Sequence, residues 1–274
     1  MNEIILQKYK EYDYLAPKIK ILVNYIKPSF LFKSCILTPI HLGRAVESLC
    51  SKDGVVTKEE ILWLHNNCIS DDFVGGISQY NRRIGFLTGT YWAWKNYNIL
   101  GNPDYFGSFG YRRILNPVFL DNLLEYDLIV PCKKNFNFES IKTQFIKYHG
   151  QNLFDMALKF APMDFEDYCN QSIGYFDEIY VMKKHLFFDF CEWIFPILIN
   201  YLSLPQIVLK GNDYRDIGFI IERLTGYYLN KTTKNQDIKF KEVDILTTEK
   251  FKVNTLNLDK ELLNKLRNKL KHSN

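Results

Sequence analysis

Short runs rich in β-branched and aromatic residues recur along this chain, each followed by a longer stretch with helical spacing. That alternation restricts the fold more than any other feature. Lys18-Ile-Lys-Ile-Leu-Val23 reads as a first strand. Tyr105 to Phe109, Tyr126 to Val130 (closed by Pro131) and Phe176-Asp-Glu-Ile-Tyr-Val-Met182 read as further strands. Thr57-Lys-Glu-Glu60 has the form of a capping box and predicts a helix through about Asn66. One aromatic-rich helix is expected from Gln79 to Tyr97, two more over Glu139 to His149 and Asn152 to Phe160, a buried one from Phe187 to Leu202, and another from Ile217 to Leu229. Strands alternating with helices imply an α/β architecture around a mostly parallel sheet.

Composition narrows the classes. Of 274 residues 47% are hydrophobic and 16% aromatic, enough for one large core. The net charge of +4 is spread along the chain, unlike the concentrated basic faces of nucleic-acid binders, so no nucleic-acid partner is expected. The six cysteines form no C-x-x-C pair, no histidine stands at zinc spacing from them, and they lie among apolar neighbours, as reduced core thiols do. Met1-Asn-Glu-Ile-Ile-Leu-Gln-Lys8 lacks the basic-then-apolar order of a signal peptide. The most apolar run, Trp193 to Leu202, contains Pro196 and falls short of the ~20 residues a membrane span requires. The expectation is a soluble, cytoplasmic protein.

Three polar stretches carry candidate chemistry. Thr38-Pro-Ile-His-Leu-Gly-Arg44 is turn-rich, follows the first strand and offers His41 and Arg44; ligands of α/β sheets bind in loops at the carboxyl ends of strands. Ser70-Asp-Asp-Phe-Val-Gly-Gly-Ile-Ser78 couples Asp71 and Asp72 to two glycines, which suits close approach to a ligand and equally suits a solvated turn. Gly107-Ser-Phe-Gly-Tyr-Arg-Arg113 ends a strand on paired arginines, whose planar guanidinium groups can donate two parallel charge-assisted bonds to phosphate oxygens.

Four motifs then occur in order: Tyr91-Trp-Ala-Trp-Lys-Asn96, Tyr111-Arg-Arg113, Met182-Lys-Lys184 with Cys191-Glu-Trp193, and Gly218-Phe-Ile-Ile-Glu-Arg-Leu224. Together they resemble the DUF4422 family of bacterial glycosyltransferases of capsule, exopolysaccharide and O-antigen assembly. The resemblance runs from about Lys18 to Leu229. It implies an α/β fold of GT-A-like, Rossmann-type character: a mostly parallel sheet flanked by helices, with a helical C-terminal part. Residues 1–250 would form that domain and residues 251–274 an amphipathic helical tail, with Leu258, Leu262, Leu266 and Leu270 on one face and Lys260, Lys265, Arg267, Lys269 and Lys271 on the other. The tail suits peripheral contact with the inner membrane or packing onto the core.

The same resemblance implies a nucleotide-sugar donor, UDP-linked first among them, and a saccharide or lipid-linked glycan acceptor. Donor contacts would come from Thr38, Pro39, His41, Gly43, Arg44, Asp71, Asp72, Tyr111, Arg112 and Arg113. Related transferases often hold Mn or Mg through Asp-x-Asp where this chain has Tyr111-Arg-Arg113, so the arginines would stabilise the diphosphate and neither metal nor cofactor is expected. Glu222 is the candidate catalytic base, with the alternative that Glu222-Arg223 is a structural ion pair; Asp177 and Glu178 are held in reserve. The chain departs from the family pattern at Ile26, at Val74-Gly-Gly-Ile-Ser78, at Phe86 (a Glu elsewhere) and at Gly110 (a His elsewhere). Those departures open a second reading, a catalytically inactive sugar- or nucleotide-binding subunit of a polysaccharide assembly complex.

Overall fold

A computed structural model describes residues 1–16, 18–47, 56–209 and 214–248. Its strands are β1 (Ile19–Tyr25), β2 (Leu37–His41), β3 (Ile69–Ser70), β4 (Tyr105–Gly110), β5 (Arg113–Leu115), β6 (Leu128–Pro131), β7 (Lys134–Asn135), β8 (Ile173–Gly174), β9 (Tyr180–Lys183), β10 (Phe240–Val243) and β11 (Ile245–Thr247). The helices are α1 (Asn2–Lys10), α2 (Lys58–Asn67), α3 (Asn81–Ile84), α4 (Leu87–Lys95), α5 (Ile141–His149), α6 (Gln151–Leu158), α7 (Phe165–Cys169), α8 (Lys184–Leu202) and α9 (Asp216–Thr232).

The main sheet has the order β10-β6-β9-β4-β1-β2-β3. Its neighbours pair in parallel except at β9, which runs antiparallel to both β4 and β6. This is the mostly parallel α/β sheet that the alternating pattern predicts. Successive side chains serve opposite faces. Leu22, Ile40, Phe106, Leu128 and Met182 join one core with α4 to α9, while Ile21, Val23, Phe109, Ile129 and Val181 join a second with α1, α2 and the 3-10 segment Pro117–Glu125. A sheet buried on both faces needs apolar residues at every position, which is why its strands read as unbroken apolar runs.

Several boundaries differ from the sequence reading, each for a local reason. The segment Thr38 to Arg44 is not all turn, because β2 occupies Leu37–His41. Pro39 is tolerated there: alternate β2 residues face β1, as in the bond from Leu42 N–H to Tyr25 O, so Pro39 points to the other side, where β3 pairs only with Ile40 and His41. The helix expected over Gln79 to Tyr97 is broken at Gly85, whose φ of 62° no helix accepts, into a 3-10 turn, α3 and α4. The strand expected over Phe176 to Met182 begins only at Tyr180, because Asp177 (φ 75°) and Glu178 (φ 51°) take the left-handed conformation. The amphipathic tail lies outside the described residues. Among the described residues no helix is long and apolar enough to cross a membrane.

Candidate functional site

The parallel register places Tyr25, His41 and Gly110 at one edge, since Tyr25 pairs with His41 and Asn24 with Gly110. Because β9 is antiparallel, its amino-terminal loop, carrying Asp177 and Glu178, reaches that same edge, beside the end of β4. Two clusters of polar residues result, and Tyr25 lies between them: its ring stacks on Tyr111 (centroids 5.4 Å apart, 20° between planes) and meets Trp63 of α2.

The first cluster is built around the turn after β2. Gly43 has φ 71°, and a Cβ there would stand 2.8 Å from Asn81 Oδ1, so only glycine fits. The buried Asp71 carboxylate accepts from Gly43 N–H (2.7 Å), Arg44 N–H (3.0 Å) and Ser78 Oγ (2.6 Å). Asp71 therefore shapes this loop, while Asp72 beside it is exposed. His41 is buried at 2% exposure, and burial first, then the charges of Arg44 and His65, push its pKa down to about 3. Its ring is neutral at physiological pH. Thr38 and Pro39 lie within β2, away from this edge.

The second cluster surrounds the tight turn from β4 to β5, where Gly110 pairs with Arg113. Thr248 fastens the turn, donating from N–H to Arg112 O (2.9 Å) and from Oγ1 to Tyr111 O (3.1 Å). Tyr111 is buried, and its hydroxyl accepts from Arg112 Nε at 2.8 Å. Arg113, with 54% of its side chain exposed, bonds the buried Asp177 carboxylate, which also takes Lys134 Nζ at 2.5 Å. Glu222 Oε1 accepts the Asp177 N–H (3.2 Å) and its other oxygen pairs with Arg223, which in turn donates to Gln144 (2.8 Å). Burial alone would raise the Glu222 pKa. The Arg223 guanidinium, the bond from Asp177 N–H and Lys134 outweigh it and hold the carboxyl below its ordinary value. Glu178 behaves in the opposite way: burial, then the charges of Glu222 and Asp177, raise its pKa well above the usual range. One buried oxygen of Glu178 has no protein partner. Their surroundings thus push the pKa values of these two nearby carboxyl groups, Glu222 and Glu178, in opposite directions, a pattern found in sites that move protons.

Of the sequence-derived candidates, the structure gathers Arg112, Arg113, Tyr111, Asp177 and Glu222 into one cluster, and His41, Gly43, Arg44 and Asp71 into the other. Lys134 and His65 were not legible as site residues, since β7 and α2 carry them to the clusters, and Glu47, three residues after Arg44, stands in no motif that marks it. The turn Tyr111-Arg-Arg113 offers a phenol and two guanidinium groups, which suit an anion. A Cβ on Gly110 would sit 3.1 Å from the Phe86 ring, so the ring occupies the space that a larger residue at 110 would need.

Comparison with solved structures finds the bifunctional glycosyltransferase WbbM, in its apo form, with a TM-score of 0.68 and 23% identity. The match covers 85% of this chain and 45% of that one, so the chain spans about half the length of this neighbour. At that identity the likeness establishes the fold. No curated protein matches the chain. A family model described as a domain of unknown function, DUF4422, matches residues 20–236. The chain belongs to the DUF4422 family.

Proposed function

We propose that the chain is a glycosyltransferase that moves a sugar from a nucleoside diphosphate to a hydroxyl of a saccharide or lipid-linked glycan, in assembly of a cell-surface polysaccharide. The observation that carries this reading is the second cluster: beside the end of β4, Arg112 bonds the Tyr111 hydroxyl, and Arg113 and Lys134 pair with the buried Asp177 carboxylate. The likeness in fold to WbbM, a bifunctional glycosyltransferase, supports it.

In the proposed reaction the acceptor oxygen forms a bond to the anomeric carbon, the bond from that carbon to the phosphate oxygen breaks, and the diphosphate leaves with the electron pair. Arg113 and Arg112 hold the departing diphosphate, whose charge grows in the transition state. Asp177 keeps Arg113 and Lys134 in place, an anion that orients cations and does not touch substrate. Glu222 retains 24% of its side-chain surface and is assigned the hydroxyl proton, although the Arg223 pairing that holds its pKa down makes it a weak base. The loop Gly43–Arg44, shaped by Asp71, is assigned to the nucleotide, most readily uridine.

The test is release of nucleoside diphosphate from a panel of sugar nucleotides in the presence of mixed saccharide primers. One donor is expected to turn over. Failure of every donor, together with no thermal shift by any, would sink the reading.

A further inference from the structure

A third group of side chains lies beside the first cluster, and the proposed reaction makes no use of it as a group. His41 ends β2, Glu47 follows the 3-10 turn Arg44–Val46, and His65 projects from α2. The two imidazole rings are 6.1 Å apart. His65 Nε2 lies 2.7 Å and His41 Nδ1 3.8 Å from the same oxygen, Glu47 Oε2. All three donor atoms fall within 4.8 Å of one another, the one such grouping of His, Cys, Asp and Glu among the described residues.

A tetrahedral zinc ion with bonds of ~2.0–2.1 Å holds its ligand atoms roughly 3.3 Å apart. The two measured separations to Glu47 bracket that spacing, so small side-chain adjustments seat an ion. A second observation is independent of the grouping. His41 Nδ1 is buried, turned toward Glu47, and has no hydrogen-bond partner. A buried donor or acceptor without a partner calls for an explanation, and an imidazole nitrogen 3.8 Å from a carboxylate oxygen that a second imidazole also approaches can serve as a metal ligand. Two imidazoles and one carboxylate select a transition ion over magnesium or calcium, which favour all-oxygen shells.

We propose that His41, Glu47 and His65 bind one transition-metal dication, zinc by the character of its donors, with a remaining coordination position open to water. The ion would tie the turn after β2 to α2 and so fix the loop that carries Gly43 and Arg44. Arg44 is the opposing feature: its Nε lies 4.0 Å from Glu47 Oε2, a like charge to the ion, shared over one carboxylate. The site is distinct from the proposed diphosphate position at Tyr111–Arg113.

The experiment uses the full chain with any affinity tag removed, stripped by a chelator and dialysed. Zinc is titrated in competition with a chromophoric chelator, and cobalt(II) is added to a second sample. One equivalent of zinc is expected, with cobalt showing the intense visible bands of a four-coordinate ion. His65→Ala, at a side chain 39% exposed and so tolerant of truncation, should weaken zinc binding at least tenfold. It should also abolish the rise in Tm that zinc gives the unaltered chain, while its own metal-free Tm stays unchanged. Less than one equivalent bound, or equal binding by His65→Ala, overturns the proposal. The readout is metal binding alone, so it succeeds or fails independently of whether any sugar nucleotide turns over.

Discussion

At the scale of single residues, the exposed cation and the buried carboxylate make separable contributions. Arg113→Ala leaves Asp177 paired with Lys134, so the fold should hold while the diphosphate loses a charge-assisted bond. Such bonds contribute about 1.5–3 kcal/mol, hence a donor affinity weaker by roughly tenfold to a hundredfold in calorimetry. Glu222→Gln should instead lower kcat by about 10²–10⁴, the usual range for a lost general base, with donor affinity nearly unchanged. Equal losses in both quantities would mean that Glu222 only holds the Asp177 loop. His41 gives a prediction in pH. Its folded pKa is depressed to about 3, whereas an unfolded imidazole titrates near ~6.5. Between those values the unfolded chain binds the extra proton, so the contribution to stability is complete above about pH 6.5 and is lost as pH falls. The slope approaches ~1.4 kcal/mol per pH unit. Urea midpoints of metal-free protein should drop between about pH 7 and 5, and less steeply in His41→Asn; parallel slopes would contradict the burial argument.

At the scale of elements, helix α9 holds the loop that carries the carboxylates. A Cβ on Gly226 would stand 2.3 Å from Tyr175 O and 2.7 Å from the Tyr168 hydroxyl, so the helix approaches that loop as closely as glycine allows. Helix propensity alone predicts that Gly226→Ala stabilises by up to ~1 kcal/mol. Packing predicts the reverse, a loss of about 1–3 kcal/mol, or roughly 2–4 °C of Tm for each kcal/mol. A calorimetric scan decides between them, and an unchanged or raised Tm would reject the packing account. The legibility of elements in the sequence follows the same division. The capping box at Thr57 and Glu60 forms both of its bonds, and β1 and β4 stand where their β-branched and aromatic runs put them, because those signals are local. β2 was hidden by Pro39, harmless only because of which side of the ladder it faces. β10 and β11 carry mixed, partly exposed residues at the margin of the sheet and give no apolar run to read. The left-handed pair Asp177 and Glu178 has no sequence signature, since residues of that type adopt it only when their surroundings compel it.

At the scale of the whole molecule, the candidate site depends on β9 running against both of its neighbours. Parallel strands bring Tyr25, His41 and Gly110 to a common edge, and antiparallel β9 adds a loop from far along the chain. The arginine pair was legible as a motif; its setting over Asp177, Glu222 and Lys134 was not, because that setting depends on the topology of the sheet. The proposed grip of those guanidinium groups on a diphosphate is tested most directly by titrating UDP into the chain and into Arg112→Ala/Arg113→Ala. Saturable binding by the unaltered chain is predicted, with affinity reduced at least about a hundredfold in the double variant and its Tm preserved. Equal affinity in the two proteins would contradict it.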